Sequence, residues 1–183
     1  MHTTFKTTLA QNLHVSLAMA LLFILALFAG GCQTTVQVQS RFDPKPAEAA
    51  LLAGTNTIKG SAFMRKKSGT VVSAAGEVVY LIPATPYAEE RFSKLFPRGK
   101  LNPATGTRAT EQTDPDYARL MRTTKADKGG SFAFENVKPG LWFVSTRVTW
   151  QEPRESLPSG GAIYDRIEIK GQDQVVEVII SGN

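Results

Sequence analysis

Two stretches of strict alternation, joined by glycine-containing turns, limit what this chain can fold into. From Ser131 to Glu135, Phe132 and Phe134 fall on one side, away from Ser131, Ala133 and Glu135. From Leu141 to Trp150, Trp142, Val144, Thr146, Val148 and Trp150 share a face, while Ser145, Arg147 and Thr149 point away from it. Successive side chains alternate across a strand, so a period of two marks a strand with one face on a core. Asp127-Lys128-Gly129-Gly130 leads into the first stretch: the aspartate can bond its own backbone while a glycine takes positive φ. Pro139-Gly140 separates the two and suits a type II turn, with proline fixing φ and glycine following it.

Further segments repeat the pattern. Thr57–Met64 is a candidate strand. Glu77–Ile82 puts Val79 and Leu81 on one face and Val78, Tyr80 and Ile82 on the other, so both faces are apolar and the strand is expected to be central. Ala162–Lys170 sets Ile163, Ile167 and Ile169 against Tyr164, Arg166, Glu168 and Lys170, and Val175–Ile180 points Val176, Val178 and Ile180 inward. Strands of this length at this spacing, broken by Gly, Pro and Asn, predict an all-β antiparallel sandwich.

The run from Asp127 through Phe132, Phe134, Pro139 and Gly140 to Trp142 resembles the carboxypeptidase regulatory-like domains. Their pattern is an aspartate–glycine turn, a Phe-x-Phe strand, and a Pro-Gly-x-aromatic turn into the next strand. Gly76–Pro83 is similar to an earlier strand of the same family, so the resemblance covers about residues 57–150. It implies a transthyretin-like Greek-key sandwich of about seven strands. It is nearly silent on function, because the matching residues make turns and core and the fold carries no single activity.

Two short helices interrupt the β pattern. Asp43-Pro44 reads as a cap with proline at the first helical position, giving a helix over about 46–53 that ends at Gly54. Thr85-Pro86 opens a second, over about 86–96, with Ala88, Phe92, Leu95 and Phe96 on one apolar face. Arg98–Asp116 is rich in Gly, Pro, Thr and Asn and reads as a long mobile loop.

The N-terminus carries an address. Leu17–Ala29 is an unbroken apolar run of thirteen residues after a single charged side chain, Lys6. That length fits the core of a signal peptide, about 7–15 residues, and falls below the about 20 of a spanning helix. Alternatives are an uncleaved membrane helix extended back through Val15, and plain secretory cleavage that leaves a free thiol. Phe28-Ala29-Gly30-Gly31-Cys32 resembles the lipobox of bacterial lipoproteins, with alanine where leucine is commoner. Cys32 is the only cysteine in the chain. The resemblance implies that Cys32 becomes the first mature residue and carries lipid. More than one acyl chain makes such an anchor stable, each buried CH₂ adding about 0.8 kcal/mol. Gln33, rather than aspartate, follows it, which implies the outer membrane facing the periplasm. The expected organisation is therefore a signal peptide over 1–31, a lipid-anchored tether with a short helix over 32–55, and a sandwich domain over 56–183.

The residue inventory argues against catalysis. The two histidines, His2 and His14, lie in the expected signal peptide. Without histidine or a free thiol, Ser-His-Asp and Cys-His nucleophile systems and the common zinc sets have no ligands or base. Transthyretin-like hydrolases and iron-dependent ring-cleaving dioxygenases use related sandwiches, but through histidines that the expected mature part lacks. The acid pairs Asp114/Asp116 and Glu89/Glu90 read as helix caps and first-turn residues, not as a glycosidase pair. Asp127 reads as a turn residue sooner than a calcium ligand. No catalytic residue, metal or cofactor is expected; the one site residue is Cys32.

The formal net charge is +5, with the basic residues scattered. Arg65-Lys66-Lys67 is the only run and is expected at a strand end or turn, as a solvated face. Nothing resembles a nucleic-acid module. The expected partners are a membrane, through lipid on Cys32, and an envelope protein or a glycan. Two readings follow: a non-catalytic interaction module, or a carbohydrate-binding domain. Trp150, Tyr87, Tyr117 and Tyr164 could form a sugar-stacking platform if exposed together. The competing reading puts Trp142 and Trp150 in the core.

Overall fold

The structure is a computed structural model and describes residues 34–110 and 113–182. The expected signal peptide and Cys32 lie outside the described residues. The described residues from 34 onward belong to one compact unit.

The described elements run in the order β1 (Thr34–Val36), α1 (Pro44–Leu51), β2 (Asn56–Arg65), β3 (Val71–Ser73), β4 (Val78–Pro83), α2 (Pro86–Leu95), β5 (Leu101–Pro103), β6 (Arg108–Thr110), α3 (Pro115–Arg119), β7 (Arg122–Lys125), β8 (Ser131–Val137), β9 (Gly140–Trp150), β10 (Ser159–Ile169) and β11 (Val175–Ile180). Two sheets form the sandwich. The larger is five-stranded, in the order β5-β10-β9-β4-β7, with every pairing antiparallel. In the smaller, β2 is flanked on one side by β11 and on the other by β8 and β3, which pair with successive parts of it. The fold is thus the expected all-β sandwich; β4, expected to be central, is an interior strand between β9, the central one, and the edge strand β7. Within the two sheets of the sandwich, one pairing departs from the antiparallel pattern. β11 follows β10 across from the larger sheet and so lies parallel to β2.

The core between the sheets collects the inward positions of the alternating strands. Ile58, Val79, Leu81, Phe132, Phe134, Trp142, Val144, Val148, Ile163 and Ile180 are buried there, Trp142 to 1% exposure. The opposite face of the larger sheet is covered as well. Ile82 of β4 and Phe143 of β9 point outward into a second apolar cluster with Phe42, Ala47, Tyr87, Ala88, Phe92, Phe96 and Tyr117. Phe92 of α2 stacks on Phe143 with ring centroids 4.1 Å apart. This is what the apolar face of the second predicted helix packs against.

Each helix starts where a side-chain cap meets a proline. Asp43 Oδ1 accepts from Lys45 N, Thr85 Oγ1 from Ala88 N, and Asp114 Oδ1 from Asp116 N. The first helix therefore begins at Pro44, two residues earlier than the pattern over 46–53 predicts.

Two segments differ from the sequence reading. Gln33–Ser40 reads as tether, yet Thr34–Val36 pairs in parallel with β6, and Phe42 sits in the second cluster. The segment over 98–116 reads as one long loop, yet it contains β5, β6 and the start of α3. Its strands are three residues long and pair with β10 and β1, so no local alternation announces them.

Candidate functional site: a groove beside Trp150

Trp150 ends β9 and lies opposite Ser159, the first residue of β10. The next residue, Gly160, has φ +82, and a Cβ there would stand 2.8 Å from Trp150 Cζ3. Glycine lets the indole lie against the β10 backbone, where any side chain would displace it. The indole Nε1 donates to Glu152 Oε1 at 2.6 Å, and the same oxygen meets Lys66 Nζ at 3.2 Å. The Lys66 ammonium also stands over the ring, 5.6 Å from its centroid. Backbone contact, edge hydrogen bond and cation–π contact together fix one ring orientation.

This half-buried indole borders two adjoining hollows. The larger, about 670 Å³, runs between Trp150, Leu101, Pro103, Thr105 and the exposed Leu157. The smaller, about 490 Å³, lies toward Ser68, Pro153 and Arg154. Lys66, Lys67, Glu155 and Ser159 line both. The groove thus draws on three distant parts of the chain: the end of β2, the β5–β6 turn and the β9–β10 connection.

Its wall at 103–107 is braced from within. Asn102, 5% exposed, donates through Nδ2 to Arg108 O at 2.8 Å and accepts from Arg108 N at 2.9 Å. Ala104 N donates to Gly160 O at 2.8 Å, and Thr107 Oγ1 donates toward Pro103 O and Ala104 O. A turn rich in Pro, Gly and Thr is held by buried amide bonds, where the sequence suggests mobility.

The other candidate residues are separated. Tyr87 and Tyr117 are buried with Phe42, their ring centroids 4.9 Å apart, and Tyr164 packs beside Phe92 and Phe96. The four-membered aromatic platform therefore does not form, and of its members Trp150 alone borders the groove. The second reading of the tryptophans holds for Trp142, which is core, and half-holds for Trp150. Burial pushes the Tyr117 phenol up to about 12, against the pull of the Arg91 guanidinium over its ring.

The acids do structural work. Glu89 pairs with Arg166 at 2.8 Å, Asp116 with Arg119 at 2.8 Å, and Asp114 caps α3. Glu90 accepts from Gln39 and Ser40, and these bonds hold its carboxyl down to about 2. Asp127 Oδ1 accepts from Gly129 N and Ser131 N, both at 2.8 Å, with Gly130 at φ +86, as the turn reading expects. Pro139-Gly140 differs from a type II turn, because Gly140 has φ +144 where that turn needs about +80. The Trp142 indole spans this bend instead, donating to Lys138 O at 3.2 Å. Among the described residues, no three His, Cys, Asp or Glu side chains gather as a metal-binding group. Nor is any helix among them long and apolar enough to cross a membrane.

Arg65-Lys66-Lys67 lies where expected, at the end of β2 and into its turn. What the sequence reading misses is that these side chains line a groove with Trp150. The available signal was Gly160-Gly161, a pair of glycines shortly after a strand-ending tryptophan.

No protein-family model matches the chain, and no match was found among curated protein sequences. Among solved structures, the chain is similar to a proposed carbohydrate-binding protein from Pseudomonas aeruginosa. The TM-score is 0.66 and the identity 24%, over 78% of this chain and 98% of that one. A likeness at that identity shows a shared fold. Hydroxyquinol 1,2-dioxygenase from Pseudomonas putida matches at a TM-score of 0.30 and 11% identity, over 85% of this chain and 63% of that one. 3-Chlorocatechol 1,2-dioxygenase from Rhodococcus opacus matches at 0.24 and 10%, over 85% and 69%. Likenesses this weak carry no argument about the chain.

Proposed function

We propose that this chain is a lipid-anchored, non-catalytic module of the bacterial cell envelope that binds carbohydrate in the groove beside Trp150. The observation that carries the reading is the indole itself: half-buried, oriented by Glu152 and Lys66, and bordering an open groove. Pre-oriented aromatic rings flanked by polar groups stack on sugar rings at low entropic cost. The fold shared with a proposed carbohydrate-binding protein supports it. Membership of the carboxypeptidase regulatory-like domains is part of the proposal, supported by the Asp127 turn and the Phe-x-Phe strand.

Calorimetric titration with peptidoglycan fragments and lipopolysaccharide oligosaccharides tests the binding reading. Heat of binding that Trp150→Ala abolishes supports it; wild-type affinity in that variant rejects the groove. The anchor is tested separately. Cys32→Ala is expected to release the protein or leave an unprocessed precursor, and unchanged processing and membrane retention reject lipidation. The proposed location, at the outer membrane facing the periplasm, is checked by density separation of the two membranes.

A second reading, docking onto an envelope protein, is favoured by one feature. On β11, Val175 and Ile179 are 60% and 62% exposed, and Ile179 lines a hollow of about 560 Å³ over the smaller sheet. Crosslinking in intact cells distinguishes it: a stoichiometric partner lost in Ile179→Asp favours protein docking.

A further inference from the structure

Charge is the property of the groove that the carbohydrate reading leaves unused. Four cationic side chains line it, Arg65, Lys66, Lys67 and Arg154, against two carboxylates, Glu152 and Glu155. The carboxylates are engaged. Glu152 serves the indole and Lys66, and Glu155 Oε2 accepts from Ser159 Oγ at 3.2 Å. Arg65 donates to Gly69 O at 3.0 Å. Lys67 and Arg154 are exposed and pair with no acid among the described residues. Lys67 lines both hollows and Arg154 the smaller one, while the apolar strip of Leu101, Pro103 and Leu157 lines the larger.

We infer that the groove selects acidic sugars, with a pyranose ring taking the place of the Lys66 ammonium over the Trp150 indole and its carboxylate or phosphate on Lys67 and Arg154. This rests on the carbohydrate reading and names the ligand class within it. A neutral glycan would leave two cations without a counter-charge beside the stacked ring. An acidic one supplies that charge where Arg154 can donate two parallel hydrogen bonds from its planar fork to the acid's oxygens. Both groups stay in water, so the selectivity is modest and weakens with salt.

The test is calorimetric titration of the purified full chain with matched probes. These are uronic-acid oligosaccharides (oligogalacturonate and oligoglucuronate) and neutral hexose oligosaccharides of the same length and linkage. The expected result is acidic probes bound about tenfold tighter at low salt, with the margin shrinking as salt rises. Lys67→Gln with Arg154→Gln should erase the margin between acidic and neutral probes. Both positions are exposed, and circular dichroism checks that the variant folds. Trp150→Ala should weaken both classes, which separates a stacked site from a diffuse cationic surface; acidic binding untouched by that change overturns the inference. So does a margin that survives the double substitution. Equal binding of acidic and neutral probes also overturns it but leaves the carbohydrate reading standing. Binding of neither class overturns both.

Discussion

Glu90 Oε2 takes two hydrogen bonds from Ser40, one from its backbone amide at 2.7 Å and one from its hydroxyl at 2.6 Å. Oε1 takes a third, from the amide of Gln39 at 2.8 Å. One carboxylate on α2 thus fastens the segment that leads from β1 to α1. The bonds favour the charged form, so the folded pKa lies near 2, below the ordinary 4.5. A lowered carboxylate pKa stabilises the fold above the unfolded value, and that stabilisation is lost as pH falls through the folded one. Hydrogen exchange at the Gln39 and Ser40 amides should therefore speed up progressively as pH drops from about 4.5 toward about 2, beyond the intrinsic change. Glu90→Gln should lack this step and exchange faster already at neutral pH.

Asn56 joins three strands. It is fully buried, donates through Nδ2 to Val137 O at 2.9 Å, and accepts from Gln174 N at 2.9 Å. Asn56→Ala strands a carbonyl at the end of β8 and an amide at the start of β11. The expected cost is about 3 kcal/mol, read as a lower urea midpoint at unchanged slope. A loss below about half a kcal/mol would mean that water replaces both bonds.

Gly60 leaves room for a ring. A Cβ at this position of β2 would run into the Phe132 ring and stand 2.7 Å from Val178 Cγ1. Gly60→Ala should cost about 1–3 kcal/mol by overpacking, and the smaller Phe132→Leu in the same chain should recover part of it. If the pair is strictly additive in denaturation, the steric account of Gly60 is wrong.

Tyr117 should ionise late. Burial raises its phenol to about 12 from 10.0, so stability is retained below about 10 and drains away as pH climbs toward 12. Ultraviolet difference titration should show a late-ionising phenol that Tyr117→Phe removes.

Much of this architecture is legible in the sequence, wherever local chemistry decides. Asp43-Pro44, Thr85-Pro86 and Asp114-Pro115 announce the three helix starts because cap and proline act within one turn. Phe132 and Phe134, or Trp142 through Val148, announce strands because burial on one face imposes a period of two. Phe143 is harder: its face of β9 also carries the exposed Leu141 and the polar Ser145, Arg147 and Thr149, and it is α2, with Tyr164 of β10, that buries it. The 98–116 segment hides its structure for a related reason. Leu101–Pro103 becomes a strand by pairing with residues about sixty positions later, and Asn102 holds its turn by bonds that composition does not encode. The groove is least legible of all. Lys66, Thr105, Trp150 and Leu157 meet through tertiary folding alone, so each reads singly as a surface or core residue.

The pairing of β1 with β6 gives the chain a mechanical property. Thr34 begins β1, two positions after Cys32, and runs in the same direction as Arg108 on β6. A force applied to the N-terminus along that strand loads its hydrogen bonds in shear, all together, rather than unzipping them singly. Behind them stand the Glu90 fastening and the buried Phe42 ring, which act as successive stops. Tension arriving at Thr34 would pass directly into the fold.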